Sequence, residues 1–121
     1  MDTEPSIRIV LLPRDTNANG TIFGGIILSH IDLAGAVEAR KSTSEKIVTV
    51  AMKEVVFKEP VFVGELVSFY TSTVHVGNTS ITVKVDVYCH RKNEKVHVTS
   101  AELTFVAIGA DNKPTSVRGS Q

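Results

Sequence analysis

Between Phe23 and Arg40 the chain reads FGGIILSHIDLAGAVEAR, a helix-length stretch that is apolar nearly all the way round. Phe23, Ile26, Ile27, His30, Ile31, Ala34 and Val37 recur at helical spacing. Gly25, Leu28, Asp32, Gly35 and Ala36 form a second face, mostly of small residues. A helix with no clear polar face is a buried helix. In the middle of the stretch stands one carboxylate, Asp32. Burying a carboxylate is costly unless it is paired, hydrogen-bonded or put to use, so Asp32 requires an explanation.

Everything outside this helix reads as strand and turn. Ser6 to Leu12 is a short strand ended by Pro13, and Asp15 to Gly20 is a loop of turn formers. After the polar linker Lys41 to Lys46, Ile47 to Lys58 is rich in β-branched residues and reads as a strand. Pro60 to Glu65 is a turn, Leu66 to Val76 the next strand, and Gly77-Asn78 a hairpin turn. Ile81, Val83, Val85, Val87 and Cys89 alternate with Thr82, Lys84, Asp86, Tyr88 and His90, so one face of this strand is buried and the other wet. Asn93-Glu94-Lys95 turns the chain into Val96 to Ile108. There the apolar phase slips near Ser100, as a bulge or burial on both faces would require. Residues 111 to 121 are polar and are expected to form a loose tail. Strand, helix and four strands joined by short turns make an α+β fold with an antiparallel sheet. One helix leaves the other sheet face open, so self-association is expected.

With 121 residues, a single domain spanning 1–121 with a core at 6–109 is expected. Basic and acidic residues number 13 each, so no basic stripe points to nucleic acid. The start shows no basic segment followed by an apolar run. The apolar stretch from Ile22 to Ile31 is too short and too interrupted to span a membrane. The one cysteine excludes a disulfide within the chain. These features lead us to expect a cytoplasmic protein without membrane or nucleic-acid partners.

Two readings of Asp32 stand side by side. It reaches solvent or pairs with His30 or Arg40, or its small neighbours leave room for a water or substrate beside it. Gly24-Gly25 has a similar pair of readings. The glycines serve an unusual backbone path, or they bare the first helix amides, which lack partners within the helix and favour negative charge. A developing oxyanion there would gain roughly 3–4 kcal/mol per donor. Gly25 precedes Asp32 by two turns, about 10 Å along the axis. Asn17 and Asn19 either hold their turn or offer an amide to orient a water. His30, His75, His90 and His97 lack metal-binding spacing, so no metal is expected. Cys89 lies on the apolar side of its strand as a core thiol. Lys58, Arg91, Lys92 and Lys95 are solvated strand-end cations or, acting together, holders of phosphates.

The stretch PRDTNANGTIFGG followed by ILSHIDLAGA resembles the acyl-CoA thioesterases of the hotdog fold, in the YciA-like branch. VTVAMKEVVFKEPVFVGE, VHVGNTSITVKVDVY and VTSAELTFVAI follow in matching order, so the resemblance covers about residues 6 to 109. It implies a long central helix wrapped by a curved antiparallel sheet. It also implies a dimer joined sheet edge to sheet edge, with active sites at the interface, assembled further as a trimer of dimers. Carried over, it makes Asp32 the catalytic base or nucleophile, Gly25 the oxyanion donor and Asn17 a helper reaching Asp32 of the partner subunit. Gly24 and His30 would adjoin the substrate, and Lys58, Arg91 and Lys92 would meet the coenzyme A phosphates. No cofactor is implied beyond the coenzyme A of the substrate. The chain departs from its relatives in carrying Ile26 where an aromatic is frequent and His30 where a glutamine is frequent. Two rival functions share the fold: an acyl-CoA sensor that does not hydrolyse, and a dehydratase of hydroxyacyl thioesters pairing His30 with Asp32.

Overall fold

The computed structural model describes residues 4–119. Five strands, β1 (Ile7–Val10), β2 (Lys46–Lys53), β3 (Leu66–Val76), β4 (Ser80–Arg91) and β5 (Glu94–Ile108), form one antiparallel sheet in the order β1-β3-β4-β5-β2. The one α-helix, α1 (Gly24–Ala39), packs against β3, β4 and β5. A short 3-10 turn, Pro13–Asp15, separates β1 from the loop that leads into α1. This is the expected α+β architecture, with the sheet wrapped on a single central helix.

The period-two pattern of β4 sets which face it buries, and β4 is the middle strand of the sheet. Ile81, Val83, Val85, Val87 and Cys89 are all completely buried, together with Leu103, Phe105 and Ala107 of β5 and Val67 and Phe69 of β3. Against this surface α1 lays Ile27, Ile31, Ala34, Gly35 and Ala39. Helix and sheet come close at Gly35, where a Cβ would stand 3.2 Å from the Phe105 ring and 3.3 Å from Leu103. The opposite side of the helix is not covered: Leu33 is 57% exposed and Val37 44%. Val37 and Phe23, expected on the main apolar face, are thus turned away from the sheet.

The phase slip in β5 is a bulge. Val87 pairs with Thr99 and Tyr88 with His97, so Val98 has no partner of its own, and both Val98 and Thr99 are buried. The bulge also holds the segment after β2. The Thr99 hydroxyl donates to Val56 O at 2.7 Å, and the Lys58 N–H donates to Val98 O at 2.8 Å. β2 therefore stops at Lys53, short of the expected Lys58. Glu54 has φ +61°, which turns the chain out of the ladder. The hairpin after β4 bends at Lys92 and Asn93, both at positive φ, one residue earlier than the sequence suggested.

The end of the chain, as far as Gly119, is packed rather than loose. Thr115 N–H donates to Ala107 O and Val117 N–H to Asn78 O, and Val117 is 2% exposed within the core. One apolar residue in a polar tail suffices, because it caps the end of the core where β3 and β4 turn.

Candidate active site

The loop before α1 is held by its own polar residues. Asn17 accepts the N–H groups of Asn19 and Thr21 on Oδ1, at 2.8 and 3.2 Å, and its amide donates to the Thr21 hydroxyl at 2.9 Å. Within one chain Asn17 thus serves its turn, and Asn19 is exposed beside it. Neither meets Asp32 of its own chain.

The loop delivers Phe23 to the N-cap of α1 with extended backbone and no side-chain cap. The Ile26 N–H is the first to turn back, to Phe23 O at 2.9 Å. The amides of Gly24 and Gly25 precede that bond, and no capping side chain covers them. At Gly25 a Cβ would lie 2.7 Å from the ring of Phe23, which is 55% exposed and would have to turn aside. Gly24 packs on Phe57, where a Cβ would make ordinary contact at 3.7 Å. Gly24 also opens onto a cleft of about 290 Å³ lined by Thr21, Ile22, Ile27, Phe57, Lys58, Glu59, Pro60 and Val61. One end of the helix, an apolar wall and one cation, Lys58, therefore meet at a single opening.

Asp32 lies two turns further along. It is half-buried, not buried, which corrects the expectation drawn from the helix composition. Among the described residues one hydrogen bond reaches it, from the Thr49 hydroxyl of β2 to Oδ1 at 2.6 Å. The buried carboxylate of α1 is Glu38, which the sequence reading passed over. Glu38 is 7% exposed and accepts the hydroxyls of Thr71 (3.0 Å) and Thr73 (2.8 Å) and the Lys41 ammonium (3.0 Å). Burial pushes its pKa up, but Thr73, Lys41 and Thr71 together outweigh this and leave it lowered. The signal was present: Ile27, Ile31, Ala34 and Glu38 form one buried stripe at helical spacing.

His30 turns to the sheet. Its Nδ1 lies 2.9 Å from Ile26 O, and its ring packs on Phe69 with centroids 5.9 Å apart. Asp32 faces Thr49 of β2, so the two residues contact different strands and make no His–Asp pair of the kind a dehydratase would use. Cys89 is buried, and burial raises its thiol pKa, as befits a packed core thiol. Lys58 and Lys92 are exposed, whereas Arg91 is engaged by Glu65, with Nε 2.5 Å from Oε2. Among the described residues no group of three or more His, Cys, Asp or Glu side chains could hold a metal ion. None of the described helices is long and apolar enough to cross a membrane.

The profile of the Thioesterase superfamily matches residues 19–96, from the end of the loop through α1 and strands β2, β3 and β4. The acyl-CoA thioester hydrolase YciA of Salmonella typhimurium is 36% identical over 123 residues, covering 94% of this chain and 92% of the relative. A hexameric hotdog-fold thioesterase of Campylobacter jejuni is 49% identical and superposes with a TM-score of 0.89, covering 94% of this chain and 90% of its own. An acyl-CoA hydrolase of Staphylococcus aureus, solved with butyryl coenzyme A and coenzyme A, is 29% identical at a TM-score of 0.85, covering 93% and 71%. Sequence profile, relatives and fold agree, and the chain belongs to the Thioesterase superfamily with the hotdog fold.

Proposed function

We propose that this protein hydrolyses acyl-CoA thioesters to a free acid and coenzyme A, acting as a single domain in the cytoplasm. One observation carries this reading. The uncapped helix start opens at Gly24 onto a cleft with apolar and charged walls, Gly25 is the next residue of the helix, and Asp32, a carboxylate with one hydrogen bond among the described residues, follows two turns after Gly25. The Gly25 N–H receives the thioester carbonyl oxygen and stabilises the oxyanion as it forms. Asp32 takes a proton from water as the water oxygen attacks the carbonyl carbon; direct attack by the carboxylate is the other route to the same products. The C–S bond then breaks. Thiolate is a good leaving group, so no strong acid is needed at the sulfur. Every step uses protein groups and water alone. The cleft takes the start of the acyl chain, and Lys58 at its rim, with Lys92, meets the phosphates of coenzyme A.

The exposed apolar residues suggest how the site is completed. Leu33 and Val37 on α1, with Val48 and Val50 (55% exposed) on the free edge strand β2, are covered by a second copy in this reading. Continuous with Asp32 and Thr49, that interface would bring Asn17 of the partner subunit toward Asp32. Three such dimers would make the hexamer named for the Campylobacter relative. A Val50→Lys variant that keeps the wild-type mass in light scattering would refute this interface.

The direct test measures thiol release from acyl-CoAs of increasing chain length by the wild type and by Asp32→Ala. Turnover lost in a folded Asp32→Ala supports both function and base. Binding without thiol release would make the protein a sensor. An active Asp32→Ala would keep the hydrolase but refute the assignment of its base.

A further inference from the structure

Arg91, the last residue of β4, makes more polar contacts than a solvated cation needs. Its Nε donates to Glu65 Oε2 (2.5 Å), and its Nη2 donates to Glu65 Oε1 (3.0 Å) and to Pro60 O (2.8 Å). The guanidinium also lies over the Phe62 ring, 5.0 Å from its centroid. Glu65 Oε1 accepts the Phe62 N–H as well, at 2.9 Å. A bidentate guanidinium–carboxylate pair is geometrically specific and well suited to fixing one element against another. Here it fixes both ends of the loop Pro60–Glu65 to the central sheet.

That loop is part of the cleft. Pro60 and Val61 line it beside Ile22 and Gly24. Val61 O accepts the Ile22 N–H at 2.8 Å, and Phe62 bridges to Thr21. Thr21 and Ile22 lead directly to Phe23 and the open amides of Gly24 and Gly25. An unbroken set of contacts thus runs from Arg91 through the loop to the start of α1. The charge of Arg91 is meanwhile offset by Glu65, which weakens any claim of Arg91 on a phosphate. The side chains of the pair are 26% and 14% exposed.

We propose that Arg91 and Glu65 act together as a positioning pair, holding the cleft wall and the oxyanion-binding helix start in register for thioester hydrolysis. The proposal rests on the thioesterase reading above. A displacement of well under 1 Å between carbonyl and donor is enough to cost activity, because the gain from orientation demands close alignment.

The test compares wild type, Arg91→Lys, Glu65→Gln and the double variant. Each is assayed on an acyl-CoA and on the matching N-acetylcysteamine thioester, which has no phosphate, well below each variant's Tm. Hydrogen exchange of residues 21–25 and 60–65 is followed alongside. Expected are a roughly tenfold loss of kcat/KM in each single variant on both substrates, a double variant no worse than either single one, and faster exchange in both segments. A loss limited to Arg91→Lys, to acyl-CoA and to KM would make Arg91 a phosphate ligand and overturn the pairing. Unchanged kinetics with only a lowered Tm would overturn it too, leaving a purely structural ion pair. A wild type that releases no thiol from either substrate refutes the thioesterase reading instead. The exchange of residues 21–25 would then decide only whether the pair anchors the helix start: faster exchange in the variants upholds that anchoring, and unchanged exchange ends it.

Discussion

The two carboxylates of α1 are both bound by threonine hydroxyls reaching in from strands, yet they are engaged to different degrees. Glu38 lies on the buried stripe and accepts from Thr71, Thr73 and Lys41. Asp32 stands six residues earlier on the side turned toward β2 and, among the described residues, accepts from Thr49 alone. Satisfied on both oxygens, Glu38 has little capacity left for chemistry. Asp32 is held at one oxygen and half open to its surroundings, so the other oxygen can take a proton or attack a carbon. Burial alone does not mark a catalytic carboxylate. The number of its lone pairs already engaged is the better guide.

The sharpest way to break this comparison is to remove each carboxylate in turn. Asp32→Ala is expected to lower kcat for acyl-CoA hydrolysis about a thousandfold or more, on the order of 4 kcal/mol in the barrier. Its Tm should stay close to the wild type, since a half-buried side chain with one hydrogen bond is lost. Glu38→Ala should do the reverse. It leaves the two threonine hydroxyls without their acceptor and is expected to cost about 2–3 kcal/mol of stability, read from urea midpoints. Its kcat per folded site should stay within about threefold of wild type. A Glu38→Ala protein as stable as the wild type would refute the structural role given to it.

Acid gives a second test of Glu38. The pKa of Glu38 is lowered in the fold from its ordinary value of 4.5, and that of Glu65 is lowered chiefly by Arg91. Below 4.5 the unfolded chain therefore binds more protons at these positions than the folded chain does. Their contribution is fully present above 4.5 and fades as pH falls through the lower folded values. Glu38→Gln should flatten the fall in Tm between neutral pH and about pH 3 without removing it, since Glu65 contributes to the same fall. An acid limb as steep as the wild type's would mean that Glu38 is not among the groups setting it.

Much of this molecule was legible in the chain. The strict alternation from Ile81 to Cys89 marked β4 as a strand with one buried face, and the slip near Ser100 marked the bulge at Val98. Other features depend on contacts far apart in sequence. β2 ends at Lys53 because Glu54 turns out of the ladder and the β5 bulge captures Val56 and Lys58, which β propensity within Ile47 to Lys58 does not report. Arg91 looked like one more turn cation because its partner Glu65 is distant in sequence and adjacent only once β3 and β4 pair. For Asp32 the residue type and the neighbouring glycines were readable, but its partner Thr49 was not, since that contact needs β2 folded onto the helix.

Thr49 supplies the smallest and most discriminating test of the comparison. Its hydroxyl holds one oxygen of Asp32 at 2.6 Å and so fixes which way the carboxylate faces. Thr49→Val keeps the β-branched shape that the strand favours and removes only the donor. If the carboxylate needs orientation as well as charge, kcat should fall about three- to tenfold, which is about 1 kcal/mol and typical of one hydrogen bond. Stability should change by less than about 1 kcal/mol, because the site is open enough for water to replace the hydroxyl. Thr73→Val is the matched control. It removes one donor from Glu38, should cost about 1 kcal/mol of stability and should leave kcat unchanged. Equal effects of the two variants on kcat would mean that the threonines serve both carboxylates alike, and the distinction between an engaged and an available carboxylate would fail.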